Sequence, residues 1–262
     1  MAYRPAGSVR ALAVRSPAYR MLLETRSAAE VLRVRRTSPR PVPTRYCISP
    51  YKTGTTYVAG LFDSSRSAHE PLHYTTLRRL GDVGFLQRRA TFLDLELESS
   101  GFFAGHLCAL RTFAPSAPVL HLIRPPEVWI GSVLSYFEKL SSRVRFNYVA
   151  RLVFDPITHT RLDEFFRASP ASQASAVSSL LRYWLRVYEE AAADAHSLIV
   201  PLDQVDDRLG EIESFLSLRA TASARPWKRR NPSKRPLRVA DHLDPAPLLA
   251  RIEALGVSLG KD

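Results

Sequence analysis

Within six residues, Lys52-Thr53-Gly54-Thr55-Thr56-Tyr57 gathers one cationic side chain, one glycine and three threonine hydroxyls. That mixture suits an anion. Lys52 brings a full positive charge, Gly54 lets the backbone close on a ligand, and the Thr55 and Thr56 hydroxyls add donors. The residue order argues against the usual nucleoside triphosphate loop, Gly-x-x-x-x-Gly-Lys-Ser/Thr. Here the lysine stands two positions before the glycine, and no glycine lies five residues upstream of Gly54.

The flanking elements must aim this loop. Residues 45–49 read as a short buried strand, and the spacing from Thr55 to Phe62 predicts a helix. Strand, tight turn and helix in that order point several backbone N–H groups at one spot, where a helix dipole adds attraction for negative charge. Further on, residues 74–99 read as mostly helical, and Ser100 to His106 as a short strand ending on Gly105 and His106. Pro118 to Ile123 reads as a central strand, followed by Arg124 and a helix to about Leu140 whose entry carries Pro125 and Pro126. A long helix over 176–195, a strand over 197–200, a helix over 208–218 and a last helix over 244–255 complete an α/β pattern.

The loop resembles the 5′-phosphosulfate loop of the sulfotransferase family, and Arg124-Pro125-Pro126-Glu127 with Ser132 eight residues after the arginine resembles that family's 3′-phosphate motif. Pro125 and Glu127 depart from the usual Asn or Asp and Asp. The resemblance runs from about Arg45 to Leu218 and implies a three-layer α/β/α P-loop-like fold around a parallel sheet. It implies the co-substrate 3′-phosphoadenosine-5′-phosphosulfate (PAPS). Lys52, Thr53, Gly54, Thr55 and Thr56 would hold the phosphosulfate, Arg124 and Ser132 the 3′-phosphate, and Tyr57 stands where the family stacks adenine. A basic C-terminal stretch with Lys228, Arg229 and Arg230 takes the place of one that folds over the nucleotide in related enzymes. The implied reaction is sulfuryl transfer to a hydroxyl, with no metal required.

Two groups compete as the base. Glu70-Pro71-Leu72-His73 resembles a Glu-Pro segment whose glutamate is the base in some bacterial and heparan-type members, and Pro71 keeps Glu70 out of a helix. Gly105-His106 resembles the strand-end Thr-His of cytosolic-type members. Glu70 is favoured, because a carboxylate partly shielded from water has its pKa raised toward a useful value.

The chain has 262 residues, enough for one large domain, with 45% hydrophobic and 24% charged residues. An excess of 37 Lys plus Arg over 25 Asp plus Glu gives +12, which calls for an acidic ligand, polymer or surface. A carbohydrate acceptor, of which an acidic polysaccharide is one form, is expected, and no specific nucleic acid. Cys47 and Cys108 cannot build a disulfide framework, and no apolar run reaches membrane-spanning length, so a cytoplasmic setting is expected. Residues 1–44 read as a basic arm with an amphipathic helix near 19–33, suited to packing on the domain or to peripheral contact with acidic lipid, and residues 45–262 as the catalytic domain. The alternatives are a P-loop-like nucleotide kinase and a non-catalytic polyanion-binding protein.

Overall fold

The computed structural model describes residues 17–63, 65–141, 148–221, 238–242, 244 and 246–256. Five short strands, β1 (Arg45–Ile48), β2 (Ser67–His69), β3 (Leu97–Ser100), β4 (Val119–Ile123) and β5 (Ser197–Pro201), form one sheet in the order β2-β3-β1-β4-β5. Every neighbouring pair is parallel, with Tyr46 of β1 beside both Glu98 of β3 and Val119 of β4. Parallel pairing requires crossovers. The helices are α1 (Pro17–Arg35), α2 (Thr55–Ala59), α3 (His73–Leu77), α4 (Val83–Leu93), α5 (Leu107–Phe113), α6 (Pro126–Ser141), α7 (Asp155–Thr158), α8 (Pro170–Ala192), α9 (Leu209–Leu216) and α10 (Ala246–Glu253).

Alternation along the strands divides the apolar residues between two faces, since successive side chains point to opposite sides of a sheet. Tyr46, Ile48, Val119 and Ile123 join a large core with Val31 and Val34 of α1, Phe85 of α4, Trp129 of α6 and Trp184 of α8. Cys47, Leu97, Leu120, Leu122 and Val200 join a smaller core with Val58 of α2 and Ile212 and Leu216 of α9. Helices therefore cover both faces. Among the described residues no helix is long and apolar enough to cross a membrane.

Three element boundaries differ from the sequence reading. The loop is followed by only five helical residues, because the helix stops at Gly60. The long helix begins at Pro170 rather than 176: Ser169 caps it by accepting from the Ser172 N–H at 3.2 Å, and the proline suits a first-turn position. The strand expected over 100–106 is instead Leu97–Ser100, and His106 stands at the start of α5.

The misplaced strand has a physical cause. Leu97-Glu98-Ser99-Ser100 carries a carboxylate in its middle, yet Glu98 and Arg89 of α4 are each only 1% exposed. Arg89 Nη1 and Nη2 donate to Glu98 Oε2 and Oε1 at 2.8 and 2.9 Å, while Nε donates to Thr76 Oγ1 and Nη2 to the Pro71 carbonyl, both at 2.7 Å. The guanidinium also lies against the Phe102 ring. Removing one member of such a pair leaves a buried charge uncompensated, at a cost of about 3–5 kcal/mol, whereas an apolar replacement of both avoids that penalty. Urea denaturation should therefore find Arg89→Met far less stable than the parent, and the double variant Arg89→Met/Glu98→Leu substantially recovered. Equal stability of the single and double variants would contradict this account.

Candidate functional site

Parallel strands present all their carboxyl ends along one edge, and there the chain gathers its chemistry. The edge carries Lys52 to Thr56 after β1, Glu70 after β2, Ser100 at the end of β3 with Gly101 after it, and Arg124 after β4. From β1 the chain builds outward to β2 and β3 on one side, then crosses to β4 and β5 on the other. Such a switch point in an open α/β sheet is where ligands bind.

The loop after β1 is held by its backbone. Lys52 has φ 74° and Gly54 φ 103°, both left-handed. A Cβ on Gly54 would sit 2.5 Å from Leu202 Cδ1, so a side chain there would have to displace Leu202 in addition to the strain of the left-handed backbone. Arg124 Nη1 donates to the Lys52 carbonyl at 2.8 Å, and Trp129 Nε1 to the Tyr51 carbonyl at 2.8 Å. Trp184 Nε1 donates in turn to the Arg124 carbonyl at 3.1 Å. Two buried indoles and a guanidinium thus fix the turn and its neighbour at once. The first intrahelical bond of α2 runs from the Tyr57 N–H to Gly54, so the N–H groups of Gly54, Thr55 and Thr56 precede the helical ladder. Five residues of helix sum only a small dipole, which leaves Lys52 and the loop N–H groups as the main attraction for an anion.

The threonines have separate surroundings. Thr53 is buried beneath the turn with its N–H bonded to Pro50, whereas the Thr55 and Thr56 hydroxyls each lie 3.1 Å from His69 Nε2. The Lys52 ammonium stands 4.1 Å from the centre of the Tyr136 ring. Tyr57 is half-buried, with its hydroxyl bonded to Asp206.

Glu70 sits at the mouth of β2 with φ 50°, its N–H bonded to Ser99 at 3.0 Å. Burial pushes its carboxyl up to about 7, against the lowering pull of a Gly101 backbone hydrogen bond and the Lys52 charge. His73 Nδ1 lies 3.2 Å from Glu70 Oε2, and His73 Nε2 is 2.7 Å from the Tyr51 hydroxyl. The Tyr148 hydroxyl is 3.1 Å from the same Nδ1. Burial lowers His73 to about 3 and, with Lys52, lowers His69 to about 4, so both imidazoles are neutral near pH 7. An ionised carboxylate only accepts. Glu70 therefore favours the His73 tautomer with its proton on Nδ1, leaving Nε2 to accept from Tyr51.

The structure brings Lys52, Thr55, Thr56, Glu70 and Arg124 to one edge. Ser132 is buried on α6, and no hydrogen bond joins it to Arg124 among the described residues. His106 is exposed beside Gly105, where Arg186 and Tyr183 pack, and no described contact links it to Glu70 or Lys52. Lys228, Arg229 and Arg230 lie outside the described residues.

The sequence reading gave no role to Tyr51, His69, Tyr136 or Tyr148, and included His73 only as the last residue of the Glu-Pro segment. A signal existed: His69-Glu70-Pro71-Leu72-His73 has His-Glu-x-x-His spacing. In zinc proteases that spacing puts two imidazoles on one helical face. Here Pro71 and the left-handed Glu70 and Leu72 break the helix, and among the described residues no three His, Cys, Asp or Glu side chains form a group able to hold a metal.

A cavity of about 430 Å³ lies at the opposite end of the sheet, lined by Thr44, Arg45, Phe113, Pro118 and Leu216. It contains none of the residues above. Comparisons of the chain with protein-family models, with curated proteins and with solved structures each found no match.

Proposed function

We propose that the chain is a sulfotransferase that moves a sulfuryl group from PAPS to a hydroxyl acceptor, on a three-layer P-loop-like fold. The observation that carries the proposal is the joining of the two phosphate motifs: Arg124 of the second bonds the backbone of Lys52 in the first. The donor set fits a doubly phosphorylated nucleotide. The loop N–H groups and Lys52 would face the phosphosulfate, while an arginine fork is suited to bridge the loop carbonyl and a 3′-phosphate. Ser132 would complete that phosphate's hydrogen bonding, and Tyr57 would flank the adenine at the rim.

In this reaction the acceptor oxygen attacks sulfur in line, its proton passes to a Glu70 carboxylate oxygen, and the sulfur–oxygen bond to the 5′-phosphate breaks. Lys52 and the loop N–H groups stabilise the charge gained by the departing adenosine 3′,5′-bisphosphate. His73, backed by Tyr51, orients Glu70. The acceptor is assigned as a carbohydrate hydroxyl, supported by the basic charge of the chain and by the Glu-Pro segment.

Three measurements test this assignment. By titration calorimetry, adenosine 3′,5′-bisphosphate should bind in roughly the micromolar range or tighter, and adenosine 5′-phosphate, ATP and heparin far more weakly. Arg124→Ala should weaken the bisphosphate much more than the monophosphate; an equal loss for both would leave Arg124 only a loop clamp.

Lys52→Ala should chiefly slow single-turnover transfer, because its charge is needed most as the leaving group departs. Unchanged turnover would remove Lys52 from the chemistry.

Glu70 must be ionised to accept a proton, so kcat/KM should rise with pH up to about 7 and then level off. Glu70→Gln should cost about 10²–10⁴-fold in rate and abolish that rise while nucleotide affinity stays intact. His106→Asn should cost much less. An active Glu70→Gln beside an inactive His106→Asn would transfer the role of base to His106.

A further inference from the structure

Helix α1 has two apolar faces rather than one. Its inner face is fastened to the domain: Val31 and Val34 enter the main core, and Glu24 accepts from the Tyr74 hydroxyl at 2.6 Å. Glu30, half-buried, accepts from Arg26 and from Thr75. These two are the helix's only carboxylates, and both turn toward the domain. The outer face is different. Met21, Leu22 and Leu32 are 68%, 59% and 52% exposed, and helical spacing aligns them with the exposed Thr25 and Ala29 in one stripe. Those three account for most of the large hydrophobic side chains exposed among the described residues.

Arginines border this stripe. Arg26 and Arg33 flank one side, Arg35 the other, and Arg36 follows its end, all of them exposed. An apolar stripe between cationic borders is the pattern of a helix lying in the plane of a membrane interface, where side chains enter the acyl boundary and arginines meet lipid phosphates. We infer that the outer face of α1 docks the protein on an anionic lipid surface. A second copy of the chain fits poorly, because the same stripe would bring arginine against arginine. A soluble acidic polymer would use the arginines but leave the apolar stripe in water.

The test is co-sedimentation of the full chain with vesicles of phosphatidylcholine alone or mixed with phosphatidylglycerol. Binding is expected to the mixed vesicles only, and to fall as salt is raised. The triple variant Met21→Ser/Leu22→Ser/Leu32→Ser keeps every charge and changes only exposed positions. It should lose roughly tenfold or more in affinity for mixed vesicles, with an unchanged thermal melting curve and unchanged retention on heparin. Arg33→Gln/Arg36→Gln should also weaken vesicle binding. No binding by the parent, equal binding to neutral vesicles, or a triple variant that binds like the parent would each overturn the assignment. So would a parent dimer that the triple variant converts to monomer in light scattering.

Discussion

A fully buried guanidinium and carboxylate stand at the centre of the half-sheet that carries Glu70. Ions cannot be taken out of water without penalty unless each finds complete hydrogen bonding, and Arg89 and Glu98 achieve this only by drawing in Thr76 and the Pro71 carbonyl. That requirement ties α4 to β3 and both to the turn after β2. The Arg89 bond to the Pro71 carbonyl falls between two strained residues, since Glu70 and Leu72 both take left-handed conformations, which side-chained residues adopt only where the surroundings compel them.

On the other side of β1 the same problem is solved with neutral donors. Trp129 and Trp184 are fully buried, and an indole N–H in a core must find an acceptor. The acceptors are the carbonyls of Tyr51 and Arg124, so the packing of α6 and α8 is communicated directly to the turn that holds Lys52. Core packing and loop geometry are in this sense one feature. Gly101 shows the same economy: a Cβ there would meet the Tyr51 ring at 2.8 Å, and its backbone bonds Glu70.

Burial also sets the protonation pattern along the carboxyl edge. Taken out of water, a carboxylic acid is held neutral to higher pH and an imidazole to lower pH. Glu70, His69 and His73 all move in those directions, and the Lys52 charge partly opposes the change at Glu70. The edge thus sets two cations, Lys52 and Arg124, along the same row of strand ends as one titrating carboxyl and two neutral imidazoles. Of these imidazoles His73 contacts the carboxyl directly, so proton transfer near neutral pH is chemically available.

The amino-acid sequence alone determined the α/β class, because the strands around Cys47, Leu120 and Ile199 and the helices after residues 54, 125 and 208 are written in local patterns of apolar spacing, proline and glycine. It also determined that Lys52 to Thr56 forms a turn between a strand and a helix, since a strand-like run ends at residue 49, helical spacing begins at Thr55, and Gly54 permits the chain to reverse between them. Only the tertiary structure decided which residues meet at that turn. Arg124 reaches Lys52 across 72 positions of sequence, and Tyr148 reaches His73 across 75. Strand β3 was hidden for the same reason: a carboxylate in mid-strand reads as solvent-facing until Arg89 arrives to neutralise it. Local patterns record what each residue prefers by itself. Burial, charge pairing and tautomer depend on what the fold brings alongside, and that is decided by packing between elements distant in the chain.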